Sequence, residues 1–369
     1  MRTLLVASGS GGHLIPALTL TDHLRNRGPS LLMTTTRPIE QTVLDGGQPV
    51  QCAAVDMKRF TPLWRWLSPL YVVHQMKALF RVRSILREFR PDVVVGFGGY
   101  LSAVGVFIAH RRGIPTVLHE QNVWPGRANR WLSSMADTVA VSFPQTKDFL
   151  SRRAHVEVTG NPIRPHLKRV DPQQARDFFR LDDRRSIVVI MGGSQGSQAI
   201  NRLAVQMWES ASAQERQGVQ VIHLAGSAES ASIEQAYRAM GVEARVYGFL
   251  QEMEMLYAAA SLVISRAGAT SIAEMTAMLV PAILIPYPHA GAHQLANARW
   301  MESCGAAVVC EEVGLTPAAL WQQLSGFLQR PDRLIQMRAA LRAQSNGSAV
   351  DKLGTLVEKM GQNGQEAAV

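Results

Sequence analysis

Two glycine-rich turns of one type, standing about half a chain apart, constrain this sequence more than any other feature. Met1–Val6, apolar after Arg2, runs into Ala7-Ser8-Gly9-Ser10-Gly11-Gly12-His13, and Ile187–Met191 runs into Gly192-Gly193-Ser194-Gln195-Gly196-Ser197. Each short apolar run reads as a buried strand. Helical spacing follows each turn: Leu14, Ala17, Leu18 and Leu24 in the first case, Ala199, Ile200, Leu203 and Met207 in the second. A strand–glycine turn–helix unit points backbone N–H groups at whatever sits above the helix start. Two such units predict two α/β domains facing one cleft, which suits a phosphorylated ligand held against a second substrate.

Composition agrees with that class. A chain of 369 residues with 47% apolar side chains is long enough for two sizeable cores. The net charge of +9 favours acidic partners such as nucleotides or phospholipids, or it is simply a basic surface. No zinc finger, RNA-recognition signature or long Lys/Arg block is present, so nucleic acid is not an expected partner. Cys52, Cys304 and Cys310 form no CxxC pair and are odd in number, which fits a reducing compartment. The apolar start is too short for a signal peptide. The best apolar stretch, Leu279–Tyr287, is broken by Pro281 and Pro286 and is too short to span a bilayer.

Short apolar runs alternate with helical patterns along the chain: Val93–Val95, Thr116–Leu118, Val139–Val141, Val219–Leu224, Val246–Tyr247, Leu262–Ile264 and Ala282–Ile285. Alternation of this kind implies parallel sheets covered by helices. A turn at Gly160-Asn161-Pro162, followed by the charged stretch Arg164–Arg185, marks a domain boundary. Near the end, Ser348 reads as an N-cap, and Val350, Leu353, Leu356, Val357 and Met360 mark one apolar helix face. The nine residues beyond are expected to fray.

The first turn lacks a clean G-x-G-x-x-G, because Leu14 stands where the third glycine would be, and Leu31–Thr36 runs into Arg37 rather than an acidic residue. A nicotinamide site is therefore not expected. His13 enters a helix with Pro16 just inside it. A helix N-terminus disfavours positive charge, which suits a ring that must accept a proton, although a His that only bonds the turn would look the same. Gly96-Phe97-Gly98-Gly99-Tyr100 allows either close approach of a ligand or close packing of two elements. His119-Glu120-Gln121-Asn122 puts four polar residues at a strand's carboxyl end, where burial demands a ligand or a network. In the second half, Ser265–Thr270 opens a helix carrying Glu274, whose carboxylate could take the vicinal hydroxyls of a ribose or serve the helix dipole. His289 and His293 have metal-like spacing, but Gly291 and the prolines make that stretch a loop without a third ligand. No Asp-x-Asp occurs anywhere. A nucleotide diphosphate would then be held by helix N-termini and polar loops, with no metal and no cofactor.

In this order the motifs closely resemble one family, the bacterial N-acetylglucosaminyltransferases of peptidoglycan synthesis, the MurG family. The resemblance runs through residues 8–13, 96–100, 119–122, Thr159–Arg164, Gly192–Gly196, Arg266–Ala269 with Glu274, and His293–Ala298. It implies a GT-B fold, an α/β architecture of two Rossmann-like domains with parallel sheets facing a cleft. The domains would be 1–163, joined by a C-terminal helix at 346–369, and 164–345. The implied reaction is inverting transfer of GlcNAc from UDP-GlcNAc to the 4-hydroxyl of the N-acetylmuramoyl unit of lipid I, giving lipid II. The implied donor residues are Arg164, Ser194, Phe249-Leu250 at the uracil, Ala269, Glu274 at the ribose, His293, Gln294 and Asn297. Ser10, Gly11, Gly12 and Asn122 would add to them from the first half. The acceptor would meet Gly11, Gly12, His13, Gly98, Gly99, Tyr100, Glu120 and Asn122. His13 is the preferred base and Glu120 the second. Ser10 stands for a usual Thr, Ser8 for a usual Gly, and Ala292 for a frequent Asp before His-Gln; Thr35 and Thr36 replace a usual Gly-Thr.

Met57–Arg83 is the least family-like segment. Lys58, Arg59, Arg65, Lys77, Arg81 and Arg83 interleave with Phe60, Leu63, Trp64, Trp66, Leu67, Leu70, Tyr71 and Phe80. Such a mixture suits an anionic membrane interface, or a core helix with solvated basic edges. The expectation is a peripheral enzyme at the cytoplasmic face of the plasma membrane, with other cell-wall synthesis proteins as candidate partners. Alternative readings are a UDP-GlcNAc 2-epimerase of the same fold and a non-catalytic nucleotide-sugar sensor.

Overall fold

The structure is a computed structural model. It describes residues 1–9, 11–37, 40, 50–58, 68–164, 167, 170–193, 196–289, 292–344 and 347–366. The chain divides into two compact units, Met1–Arg164 with Gly347–Val369, and Pro165–Asn346.

The first unit is built on a parallel sheet of β1 (Thr3–Val6), β2 (Ser30–Thr35), β3 (Cys52–Val55), β4 (Val93–Gly96), β5 (Thr116–Glu120), β6 (Thr138–Val141) and β7 (Val156–Val158), in the order β3-β2-β1-β4-β5-β6-β7. The order reverses between β1 and β4, where Val6 pairs with Gly96, so both glycine turns leave the sheet side by side. Reversal points of this type are where open α/β sheets bind ligands. Its helices are α1 (Gly11–His23), α2 (Pro69–Phe89), α3 (Gly99–Arg111) and α4 (Arg127–Leu132), and α14 (Ala349–Glu366) at the chain end. Alternation along β1 feeds two cores. Leu4 and Val6 pack with Val82, Ile85, Leu101 and Val106 on one face. Leu5 and Ala7 pack with Leu14, Leu20, Leu353 and Val357 on the other.

The second unit repeats the plan with β8 (Ser186–Met191), β9 (Val219–Leu224), β10 (Glu243–Tyr247), β11 (Leu262–Ser265), β12 (Ala282–Leu284) and β13 (Ala307–Val309), ordered β10-β9-β8-β11-β12-β13 and all parallel. Its helices are α5 (Pro172–Phe179), α6 (Gln198–Met207), α7 (Ala213–Gln217), α8 (Ser230–Ala239), α9 (Met253–Ala259), α10 (Ala269–Ala277), α11 (His293–Ser303), α12 (Pro317–Leu328) and α13 (Pro331–Gln344). Residues of β8, β11 and β12 meet α6, α12 and α13 in one apolar cluster that includes Trp208 and Trp321.

Three strands lie outside the expected set: β3, β7 and β13. Each is an edge strand that is short and partly exposed, so none carries the continuous apolar run of a central strand. The last helix, α14 (Ala349–Glu366), also runs beyond the expected fraying point. Its Gly361 lies against the Met1 side chain. Ser348 accepts from the Asp351 N–H at 3.3 Å, as an N-cap does. Leu353, Leu356 and Val357 are buried against α1 and the first sheet. Leu353→Ala should therefore destabilise the first unit by about 2–5 kcal/mol. Urea unfolding measures this, and a loss below about 1 kcal/mol would mean that α14 is only loosely seated.

Candidate active site

In the first unit the polar groups gather where β1, β4 and β5 end. Gly9 adopts φ +113°, and its N–H donates to Glu40 Oε1 at 2.8 Å. Glu40 is 1% exposed. It also accepts from the Thr35 N–H at 2.8 Å, the Thr35 hydroxyl at 2.7 Å and the Thr34 hydroxyl. The Gly9 N–H is thereby committed to a carboxylate, whereas the start of α1 at Gly11, Gly12 and His13 carries the N–H groups that have no partner within the helix. The sequence reading missed Glu40; the signal was the Thr34-Thr35 pair, whose hydroxyls need an acceptor once buried.

Gly98 and Gly99 have φ +104° and +82°. A Cβ on Gly98 would lie 2.8 Å from His13 Cε1, and one on Gly99 would lie 2.5 Å from the Ser8 carbonyl oxygen. Close packing of two turns accounts for both glycines, so the acceptor-contact expectation is not needed to explain them. Tyr100 donates its hydroxyl to the Met57 carbonyl at 2.8 Å and ties α3 to the segment after β3.

His119 and Glu120 belong to β5 itself and are buried. Glu120 Oε1 accepts from the Asn122 N–H at 2.9 Å and Asn122 Nδ2 at 3.1 Å. Oε2 accepts from the Gly126 N–H at 3.0 Å and Asn129 Nδ2 at 2.9 Å. These four donors occupy both carboxylate oxygens and tie Glu120 to residues 122–129. His119 faces the Gly160 carbonyl through Nε2 and Gln121 Nε2 through Nδ1, each at 3.0 Å. Gln121 Oε1 in turn meets His13 Nδ1 at 3.0 Å. His13 is half-buried. Among the described residues, none hydrogen-bonds its Nε2. Burial pushes the His119 imidazole down to about 4; its bond to Gly160 opposes this, and nearby His13 adds to it.

In the second unit the turn after β8 carries Gly193 at φ +98° and Gly196 at φ +73°. It ends at Ser197, which caps α6 through the Ile200 N–H. Ser10 and Ser194 lie outside the described residues, as do Arg59, Phe60, Leu63, Trp64, Arg65, Trp66 and Leu67. After β11, Arg266 is 7% exposed. It donates to Ser197 Oγ at 2.9 Å and to the Ile285 carbonyl at 3.2 Å, pairs with Glu312, and lies 5.2 Å from the Tyr287 ring centroid. Arg266 thus ties three loops together, a role that its place in the motif did not disclose. Gln294 and Asn297 grip one residue: Gln294 Oε1 accepts from the Ala267 N–H at 3.3 Å, and Asn297 Nδ2 donates to the Ala267 carbonyl at 3.2 Å. Gln294 Oε1 also takes the Tyr287 N–H at 2.9 Å.

Ala269 begins α10, and Thr270 buries a hydroxyl there without a partner among the described residues. Glu274 is buried on α10 and accepts from the Tyr257 hydroxyl at 2.9 Å. Leu250 is buried, whereas its neighbour Phe249 is 66% exposed. His293 opens α11, half-buried, and Ala292 before it has φ +69°. Arg164 closes the first unit. Among the described residues no three His, Cys, Asp or Glu side chains gather as metal ligands would.

Two domain models of one family cover most of the chain. The glycosyltransferase family 28 N-terminal domain matches residues 3–141 and its C-terminal domain residues 187–353. With two parallel-sheet Rossmann-like domains, the protein is a glycosyltransferase of the GT-B fold. A UDP-N-acetylglucosamine--N-acetylmuramyl-(pentapeptide) pyrophosphoryl-undecaprenol N-acetylglucosamine transferase of Desulforudis audaxviator is 34% identical, over 99% of this chain and 100% of that one. The protein of the same name from Syntrophotalea carbinolica is 36% identical, over 96% and 97%. The crystal structure of Acinetobacter baumannii MurG superposes with a TM-score of 0.77 at 26% identity, over 97% of this chain and 99% of that one. The chain belongs to the MurG family.

Two buried imidazoles make stability depend on pH. His223 in the second unit is pushed down to about 3 by burial, as His119 is to about 4. Both are neutral when folded and take up a proton more readily when unfolded. Their contribution is complete above the unfolded value, about 6.5, and is lost as pH falls toward the folded values. The slope approaches about 1.4 kcal/mol per pH unit for each histidine. Urea unfolding at pH 5 should therefore show lower stability than at pH 7, and level stability between them would contradict the burial argument.

Proposed function

We propose that this chain transfers N-acetylglucosamine from UDP-GlcNAc to the 4-hydroxyl of the N-acetylmuramoyl unit of lipid I. The anomeric carbon inverts, UDP leaves and lipid II forms. The observation that carries this reading is full-length relationship, at 34% identity, to a transferase that names these substrates. In this reading the second unit holds the donor. Glu274 takes the ribose hydroxyls, and the Leu250 backbone with Phe249 takes the uracil. The diphosphate lies at the start of α10, where N–H groups and the Thr270 hydroxyl, unpartnered among the described residues, meet the charge that grows on the leaving group. Gln294, its oxygen committed to two backbone N–H groups, turns its amide hydrogens to the sugar. Arg164, Ser194, His293 and Asn297 complete the set.

His13 serves as general base. Its Nε2 takes the proton of the 4-hydroxyl as that oxygen attacks, which spares the acceptor a free alkoxide. Glu120 acts instead as the anchor of the loop that presents Asn122. His13→Ala should lower kcat by about 10²–10⁴-fold, with UDP affinity unchanged. The assay is labelled UDP-GlcNAc with lipid I, repeated in EDTA, where transfer should persist. Free-sugar epimerisation, or binding without turnover, would favour the two competing readings.

No helix among the described residues is long and apolar enough to cross a membrane. We place the protein on the cytoplasmic membrane face through α2. One face of α2 buries Tyr71, Gln75, Ala78 and Val82, so Tyr71 is not part of an outward patch. The other exposes Leu70 (83%), Val73 (51%), Met76 (42%) and Phe80 (60%) beside exposed Lys77, Arg81 and Arg83. Apolar anchors flanked by cations suit an anionic bilayer surface. Replacing Leu70 and Phe80 together with Ser should weaken binding to phosphatidylglycerol vesicles at least about tenfold and leave UDP binding intact. Undiminished vesicle binding would remove α2 as the anchor.

A further inference from the structure

A chain of donors and acceptors runs from a backbone carbonyl to the His13 ring. The Gly160 carbonyl oxygen lies 3.0 Å from His119 Nε2. A carbonyl only accepts, so Nε2 carries the hydrogen. His119 is 0% exposed and its ring is neutral, so Nδ1 is bare and accepts from Gln121 Nε2 at 3.0 Å. The amide cannot be turned round, because the same nitrogen faces the carbonyls of Phe97 at 2.9 Å and His119 at 3.2 Å. Gln121 Oε1 is therefore the atom 3.0 Å from His13 Nδ1. An oxygen with lone pairs there requires a hydrogen on Nδ1. The opposite tautomer would set two acceptors against each other in a partly buried site.

We propose that Gln121 and His119 are positioning residues that hold neutral His13 in its Nδ1–H tautomer, leaving Nε2 as the basic nitrogen. Histidine free in water prefers the other tautomer, so without this relay the ring would present an N–H where the reaction needs a lone pair. The relay is anchored at Gly160, whose φ of +83° suits glycine and whose carbonyl also accepts from the Thr159 hydroxyl at 3.1 Å. Gly98 supplies the other wall, since any side chain there would strike the His13 ring. The catalytic consequence rests on the reading of His13 as base; the tautomer itself does not.

The test is long-range ¹H–¹⁵N correlation of the histidine side chains in the full-length protein, with the His13 signals identified by their loss in His13→Ala. The expected spectrum has His13 as Nδ1–H and His119 as Nε2–H. In Gln121→Leu, His13 should move toward Nε2–H and kcat should fall about 100-fold, while KM for both substrates stays within about twofold. Wild-type His13 found as Nε2–H overturns the proposal, even if Gln121→Leu does not fold. So does a folded Gln121→Leu with unchanged tautomer and kcat. If His13→Ala instead transfers at the wild-type rate, the base reading fails while the tautomer assignment stands.

Discussion

The approach of two glycine turns at the β1/β4 switch point is the constraint on which the first unit's site depends. Gly99 lets the β4–α3 turn lie on the Ser8 carbonyl, and Gly98 lets it lie on the His13 ring. Both have positive φ, which a side-chain-bearing residue adopts only under strain. Because Val6 and Gly96 are paired in register, the turns must leave the sheet together, and neither can widen without breaking that pairing. His13 is thus wedged between Gly98 and Gln121. Its position is a property of the sheet, transmitted through backbone, and not of a mobile loop.

Placing polar side chains on β5 is expensive unless every one is partnered. The chain meets the demand with a closed set: Glu120 collects four donors, and His119 spends both nitrogens. Gln121 uses its amide at both ends. The network centres on β5 and the loop after it, and reaches outside them to Phe97, Gly160, Asn129 of α4 and His13 of α1. Its rigidity has a direct chemical use. A buried amide that cannot rotate dictates which imidazole nitrogen of its neighbour carries the hydrogen, and a base is useful only if that choice is settled before the substrate arrives.

Central strands, glycine turns and the final helix were legible in the sequence because each is a local pattern: an apolar run, a loss of Cβ, a 3.6-residue period. Three of the four edge strands were not, since half-exposed positions such as those of β7 carry mixed residues. Partners separated by long stretches of chain were hidden for a different reason. Nothing local tells that Glu40 will close over the Gly9 N–H, or that Arg266 will reach both Ser197 and the Ile285 carbonyl. The ranking of His13 above Glu120 was open to sequence reasoning only through the helix start. The four donors on Glu120 support the proposed order by occupying both its oxygens, and they depend on the fold of residues 122–129.

The two units use one supersecondary plan to opposite electrostatic ends. In the first, a buried carboxylate already occupies the leading N–H of the glycine turn, so an anion at that turn has only the start of α1 to receive it. In the second, the turns after β8 and β11 are braced by an arginine that is itself neutralised by Glu312. The start of α10 keeps a buried hydroxyl with no partner among the described residues. A charged leaving group gains most where donors are preorganised and not already committed to a carboxylate. That asymmetry favours the proposed division, with the nucleotide diphosphate on the second unit and the proton transfer on the first, which similar glycine turns in the sequence do not reveal.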